Sequence, residues 1–515
     1  MSRHLILKRA ILAFISITIC LSFGNWSYAE DIYYAQVRSG DSTGSSCTNA
    51  KAITALTWGT EVGSIKARDT LHLCGVFTGS AGNNLIKVGA SGTSGNVITI
   101  KFETGAVLSA PYWSTTMGAI YVDGNSYITI DGGTNGVVTN TANGTGKTYQ
   151  AESYGIHMGN GSNNIVKNLT ISDIYVRTPY VSGSTGFDSE GIKFTGGNNN
   201  IATKNTIKNV KAGITYAFSS DSSNLEFSYN TFSGSDVGII VASGPNATLT
   251  TVNIHNNDFA GEAQLWDSPG NEMHHNAIHM WAQASNSRIT GVNIYSNYAH
   301  GTMGADQAYY KSTGGTHITS LFYPEEIGGT VNIYNNLLVL NTGGALNQPM
   351  NSFIFCKANT GQVCRIYNNT IVSAPGFGSA FDAQNVSGTS VHEAKNNLFY
   401  NVAYPIYTPS GINTVVADYN LYYGATNWGI HDSWAIWRAA GQDAHSSNGV
   451  DPKLSSNFVP RVGSIAIDKG VSLSSYFTTD YSGISRPQGL AWDIGAYEYG
   501  YINKIPNPPT DIITK

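Results

Sequence analysis

One phrase recurs through the middle of this chain and narrows its possible folds more than any other feature. An alternating apolar and polar stretch runs into Asn, one further residue and an apolar one, as in Val-Asn-Ile-His-Asn-Asn257-Asp-Phe and Val-Asn-Ile-Tyr-Asn-Asn336-Leu-Leu. The phrase returns at Asn205, Asn230, Asn297, Asn369, Asn397 and Asn420, with a shifted copy at Asn168. Alternation with a period of two marks a strand, whose side chains point to opposite faces in turn. Asn tolerates the left-handed backbone region, so each unit is expected to turn its corner at the Asn itself. A single coil of this kind cannot bury its inner face. Stacked about 4.8 Å apart, coils complete one another's backbone hydrogen bonds and enclose a continuous apolar interior, which is a parallel β-helix. Asn side chains at equivalent corners can also bond along the axis.

A second phrase marks another strand of the same coil: Gly155-Ile156-His157-Met158, Gly191-Ile192-Lys193-Phe194, Gly213-Ile214-Thr215-Tyr216, Gly238-Ile239-Ile240-Val241 and Ala277-Ile278-His279-Met280. Alternation puts the second and fourth residues inside. The first and third are then expected outside, giving an outer file of His157, Lys193, Thr215, Ile240 and His279 beside a shallow track of small residues. From Asn168 to Asn420 the corner Asn residues are 37, 25, 27, 40, 39, 33, 28 and 23 apart. The excess over the shortest coil must leave as surface loops, which is where a rigid stack carries sites.

Composition fits such a stack. Charged residues are only 12% of the chain, hydrophobic ones 41%, and there are 57 Gly, which excludes a coiled coil and a disordered tail. No Lys/Arg-rich run exists, so a nucleic-acid partner is not expected. At the N-terminus Arg3, Lys8 and Arg9 precede an apolar run from Ala10 to Phe23, and Ser27-Tyr28-Ala29 offers small residues at the cleavage positions. Residues 1–29 are therefore read as a signal peptide, and the protein as secreted, either extracellular or periplasmic. Removing the leader's three cations takes the net charge from −5 to −8. No later stretch is long and apolar enough to span a membrane. The remaining cysteines form an even set in an oxidising compartment, and proximity pairs Cys47 with Cys74 and Cys356 with Cys364. Residues 30–80 are expected to cap the first coil, 81–430 to form the β-helix and 431–500 a C-terminal cap. That cap starts with a short helix around Trp434 and ends in an irregular segment over 451–500, and 501–515 reads as a linker-like tail.

The chain resembles secreted bacterial proteins of the right-handed parallel β-helix, pectate-lyase-like superfamily. The likeness rests on the Asn corners, the Cys47 and Cys74 segment, and the terminal phrases Ser464-Ile-Ala-Ile-Asp468-Lys-Gly470, Asp480-Tyr-Ser-Gly483-Ile-Ser-Arg486-Pro487 and Asp493-Ile-Gly-Ala-Tyr-Glu498-Tyr499. It implies an all-β solenoid and leaves the activity open, because this architecture hosts lyases, hydrolases, epimerases and non-catalytic surface proteins. Of the set typical of polygalacturonase-type members, the Asp-Asp pair and the Gly-His-Gly are absent.

Two groups of residues can carry chemistry. The longest coil holds Trp266, Asp267, Glu272, His274 and His275, followed by His279 and Trp281. Imidazole titrates near neutral pH, so His279 or His275 is the expected base or acid, with Asp267 as its orienting carboxylate and His274 and Trp281 as substrate contacts. The second group is Asp188, Glu190 and Lys193. Elimination from a uronic-acid polymer needs a base beside the carboxylate and a cation to hold the resulting dianion. Lys193 serves as base if its pKa is lowered, Asp188 and Glu190 are candidate ligands of Ca²⁺, and His157 lies one coil away; Lys193 and His157 are expected as substrate contacts or as the alternative base. A salt bridge between Glu190 and Lys193 is the plain alternative. A further long loop offers Tyr310 for stacking on a sugar ring. The expected function is therefore cleavage or modification of an acidic polysaccharide in a groove on the flank, by a monomer, with lyase chemistry favoured. The alternative is a non-catalytic glycan-binding or adhesive β-helix.

Overall fold

A computed structural model describes residues 28–144, 146–174, 189–261, 276–282, 286–301, 320–340, 352–428 and 433–500. Over these residues the chain winds as a right-handed parallel β-helix, each strand pairing in parallel with its equivalent in the next coil. A full coil carries three strands. One belongs to a 14-stranded sheet that includes Ile201–Thr203, Ser222–Ser228 and Thr248–His255; we term it the flank sheet. A three-residue strand follows, as in Thr206–Lys208, Thr231–Ser233 and Asp258–Ala260, forming the short sheet. The third strand builds the site sheet: Tyr154–Gly159, Glu190–Phe194, Ala212–Phe218, Val237–Ser243, Asn276–Ala282, Ser320–Glu325 and Ser352–Ala358.

Alternation in the flank sheet points one residue per strand inward in unbroken register: Ile130, Val166, Ala202, Phe227, Ile254, Ile294, Ile333, Ile366 and Ala394. All are fully buried. Each large member contributes about 2–3 kcal/mol by leaving water. At the N-terminal edge the flank sheet stops on the two-residue strand Lys51–Ala52, held beside the Cys47–Cys74 disulfide. A short edge strand offers little for another chain to pair with. Cys356 and Cys364 form the second bridge, so both expected pairings are present.

The corner differs from expectation in one respect. The residues with positive φ are Lys204, Tyr229, Asn256, Ser296, Asn335, Asn368, Asn396 and Tyr419, each immediately before the recurring Asn. The Asn that follows is a hydrogen-bonding rung. Asn257 donates from its backbone N–H and from Nδ2 to Asn297 Oδ1, both at 3.0 Å, and Asn297 does the same to Asn336. This ladder runs through Asn369 and Asn397 to Asn420, whose Nδ2 ends on the buried Asp443 carboxylate.

The glycines of the second phrase are also placed differently. A Cβ on Gly213 would lie 2.7 Å from the Phe232 ring, and one on Gly238 would lie 2.7 Å from Phe259. These positions face the interior, not the outer surface. A Cβ there would also press on the backbone carbonyl of the next coil, Gly238 O at 2.6 Å from Gly213 and Ala277 O at 2.7 Å from Gly238.

The chain after Asn420 divides its work. Ser433 caps the helix Trp434–Ala439 by accepting from Ile436 N–H, and Trp437 is buried with its indole N–H on Asp443. Gln442 accepts from Ala417 N–H at 2.9 Å and donates to Val415 O at 2.8 Å, standing in for a next coil at this strand edge. Residues 464–500 then double back along the outside of the stack instead of lying over its end. Asn335, Asn368 and Asn396 donate to the carbonyls of Thr479, Asp493 and Val471. Arg486 and Glu498 form a fully buried ion pair at 2.6 Å, and Arg486 also reaches Asn335 Oδ1.

Candidate functional site

The third residues of the site-sheet phrases stand opposite Ile156, Met158 and their equivalents, which join the core. They form one file by register: His157, Lys193, Thr215, Ile240, His279 and Tyr323. The file continues through Phe355, Asp382 and Tyr407. Expected as an open track, it is largely covered: His157 is 9% exposed, His279 6% and Tyr323 0%. Two clusters of titratable groups lie on it.

The first centres on His157. Its Nδ1–H donates to the Thr116 carbonyl at 2.7 Å, which fixes the tautomer and leaves the lone pair on Nε2. That nitrogen is buried without a hydrogen-bond partner among the described residues. Burial, reinforced by the Lys193 charge, holds the imidazole below its usual pKa and therefore neutral. Lys193 faces it from the next coil. Its ammonium lies 3.0 Å from Glu190 and 3.1 Å from the Tyr154 hydroxyl, over that ring. Burial alone would pull the ammonium toward neutrality, but the Glu190 charge and Tyr154 outweigh it and raise its pKa. Lys193 is thus a fixed cation, which does not meet the condition for its expected role as base.

The second cluster centres on His279. Its ring stacks on Tyr323 at 5.0 Å with 5° between planes, and Tyr323 stacks on Phe355 at 4.8 Å. Trp281 lies 4.6 Å from the imidazole. His279 Nε2 lies 3.1 Å from Glu325, whose other oxygen accepts from Lys357 at 2.7 Å. Burial pushes the Glu325 carboxyl up, but the two hydrogen bonds outweigh it and bring it down to about 2. Burial lowers the His279 pKa, so a neutral ring donates to an ionised carboxylate. Two strands on, Asp382 is buried, Oδ1 has no partner among the described residues, and burial pushes its pKa up to about 7.

Asp188, Asp267, His274, His275 and Tyr310 lie outside the described residues. Sequence reasoning missed Tyr154, Tyr323, Glu325, Lys357 and Asp382. Their signal was present: Ser320-Leu321-Phe322-Tyr323 and Ala380-Phe381-Asp382 repeat the site-sheet phrase with Leu or Ala in place of Gly. A Ca²⁺ ion prefers six to eight oxygen ligands. Glu190 is engaged by Lys193, and among the described residues the one grouping of three metal-ligating side chains is Cys356, Cys364 and His392, whose sulfurs are already bonded together. Asp188, the other expected Ca²⁺ ligand, lies outside the described residues, so the expected pair is not seen together.

A family model described as a right handed beta helix region matches residues 70–278. Solved structures similar to this chain include the pectate lyase Pel9A, at 15% identity over 92% of this chain and 97% of that one with a TM-score of 0.43. XylC in complex with xylose is similar at 10% identity over 90% and 98%, with a TM-score of 0.49. An alginate lyase from Paenibacillus sp. str. FPU-7 is similar at 15% identity over 75% and 99%, with a TM-score of 0.39. Among curated proteins no sequence matches. These likenesses concern the winding of the chain. No helix among the described residues is long and apolar enough to cross a membrane.

Proposed function

We propose that the protein acts on an acidic polysaccharide held along the site sheet and cleaves it by elimination at the His157 cluster. One observation carries this reading: a neutral imidazole, one nitrogen of which has no hydrogen-bond partner among the described residues, faces, across adjacent coils, an ammonium whose pKa is raised. In elimination from a uronate, His157 Nε2 takes the proton on the carbon beside the carboxylate. The C–O bond to the leaving sugar breaks as the ring double bond forms, and the leaving oxygen takes a proton from the Tyr154 hydroxyl. Lys193 holds the carboxylate as charge develops on it, which lowers the barrier most where water is scarce. His157 returns its proton, and Tyr154 regains one, through solvent. The two disulfides suit an exported protein.

The test is a panel of polygalacturonate, alginate and neutral glycans, following the ultraviolet absorbance of unsaturated product. His157→Ala and Lys193→Met are each expected to lower turnover at least ~100-fold, the usual contribution of a positioned base or charge. Full activity in either variant contradicts the assignment. Partly exposed Trp281 beside the file, a flat apolar edge for a sugar ring, favours a second reading, a non-catalytic glycan-binding surface. Silence of the wild-type chain across the panel together with measurable binding would favour that reading.

A further inference from the structure

We propose that the far end of the same file is a second catalytic centre, in which the buried carboxyl of Asp382 is the acid that hydrolyses a glycosidic bond, with water as co-reactant. The inference rests on the reading that this face holds a glycan, and it does not depend on which chemistry occurs at His157.

Asp382 is an anomaly that packing does not explain. It is 6% exposed, its Oδ1 has no partner among the described residues, and its Oδ2 has only a long contact, 3.4 Å from Gln384 Nε2. Buried polar groups are nearly always satisfied, so an orphaned carboxyl oxygen on the outward side of a strand asks for a ligand or a role. By register it follows Phe355, the end of the stack His279–Tyr323–Phe355. The charged or titratable groups around it are Lys357 on the preceding strand, Tyr407 on the following one, and Tyr323 with Glu325 one coil further back. None of the hydrogen bonds resolved around it supplies a charged donor that would keep it ionised, and burial holds it protonated to about pH 7.

Glu325, on the same face, is its opposite. Two donors hold it ionised, so it has no proton to give. Carboxyls whose surroundings push them apart in this way divide into acid and anion. Trp281, which aligns with Glu325 and is only partly buried, offers a flat apolar edge for a sugar ring.

The Asp382 proton passes to the glycosidic oxygen, and the C–O bond breaks with its electron pair going to that oxygen. A water oxygen bonds to the anomeric carbon, and the surplus proton of that water returns to the Asp382 carboxylate. Both products are saturated, and one carries a new reducing end. Asp382 lies six coils beyond Lys193, about 29 Å at the spacing of paired strands, so one polymer chain can span both centres and yield distinguishable products.

The experiment uses the full chain as wild type, His157→Ala and Asp382→Asn, on soluble xylan and on polygalacturonate. Saturated reducing ends and unsaturated product are read separately. Asp382→Asn keeps the volume and stays neutral. It is expected to lose saturated-end release at least ~100-fold while forming unsaturated product as before, and His157→Ala is expected to do the reverse. Wild-type release of saturated ends is expected to fall as pH rises through about 7, where the acid loses its proton. Three outcomes overturn the proposal: wild-type rates in Asp382→Asn, no saturated ends from the wild type on either substrate, or loss of both products together in Asp382→Asn, which marks a structural role. Absence of unsaturated product alone refutes only the His157 reading.

Discussion

At the scale of single residues, the recurring Asn shows how a sequence regularity and its structural meaning can come apart. The left-handed residue is the one before it, as at Lys204, Tyr229 and Ser296, and the Asn itself is kept for its two-sided amide. Asn297 Oδ1 takes two donors from Asn257, while Asn297 Nδ2 reaches Ile254 O and Asn336 Oδ1. Asn297→Ala leaves those buried donors and acceptors unmet and is expected to cost about 2–4 kcal/mol, read as a lower urea midpoint. Asn256→Gly, one residue earlier, relieves a positive φ and is expected to be near neutral or slightly stabilising. If the reverse order were found, the corner would be limited by backbone strain and not by hydrogen bonding. The motif made the rung positions legible. It did not reveal the division of labour, because a repeat counts residues and not which of two neighbours carries the bend.

At the scale of elements, the segment 464–500 is a strap along the stack, not a lid on its end. Its apolar residues Leu473, Phe477 and Trp492 pack with Tyr367 on the outer side of the flank sheet. Phe477 extends a ring stack that runs His255, Tyr295, Tyr334. The Arg486–Glu498 pair inside it is wholly removed from water. Glu498→Gln leaves the Arg486 charge buried without its counter-ion and is expected to cost about 3–5 kcal/mol, concentrated in the strap. Limited proteolysis should then cut within 464–500 before the coils, whereas simultaneous loss of both would show that strap and stack unfold as one unit. The phrases around Arg486 were visible in the sequence. Their landing place was not, since contacts such as Asn335 to Thr479 join residues far apart along the chain.

At the scale of the molecule, the file on the site sheet collects groups whose ionisation the fold alters in opposite directions, so stability is tied to pH. Glu325 has a folded pKa of about 2, below its ordinary value, and the stability it adds is present above pH ~4.5 and lost as pH falls toward 2. Asp382 has a folded pKa of about 7, above its ordinary value, so the folded state holds the proton more tightly, and stability declines as pH rises from about 4 through 7. Below pH ~6.5 the depressed pKa values of His157, His279 and His392 act in the opposite direction, so the expected readout is a difference: Asp382→Asn gains melting temperature relative to the wild type as pH rises from 5 to 8. An unchanged slope in the variant would mean that Asp382 ionises without cost.

What the sequence determined by itself is the winding. Period-two alternation and a repeated corner are local signals, and stacking follows because one coil cannot bury its own inner face. Strand register then aligned His157, Lys193 and His279 as the phrases implied. Only the tertiary structure decided what those residues are: a neutral imidazole, a cation that stays charged, and a histidine tied to Glu325. Protonation depends on burial and on partners brought from other coils, such as Thr116, Tyr154 and Lys357, and distances of that kind are set by how the coils stack and are not written in any one of them.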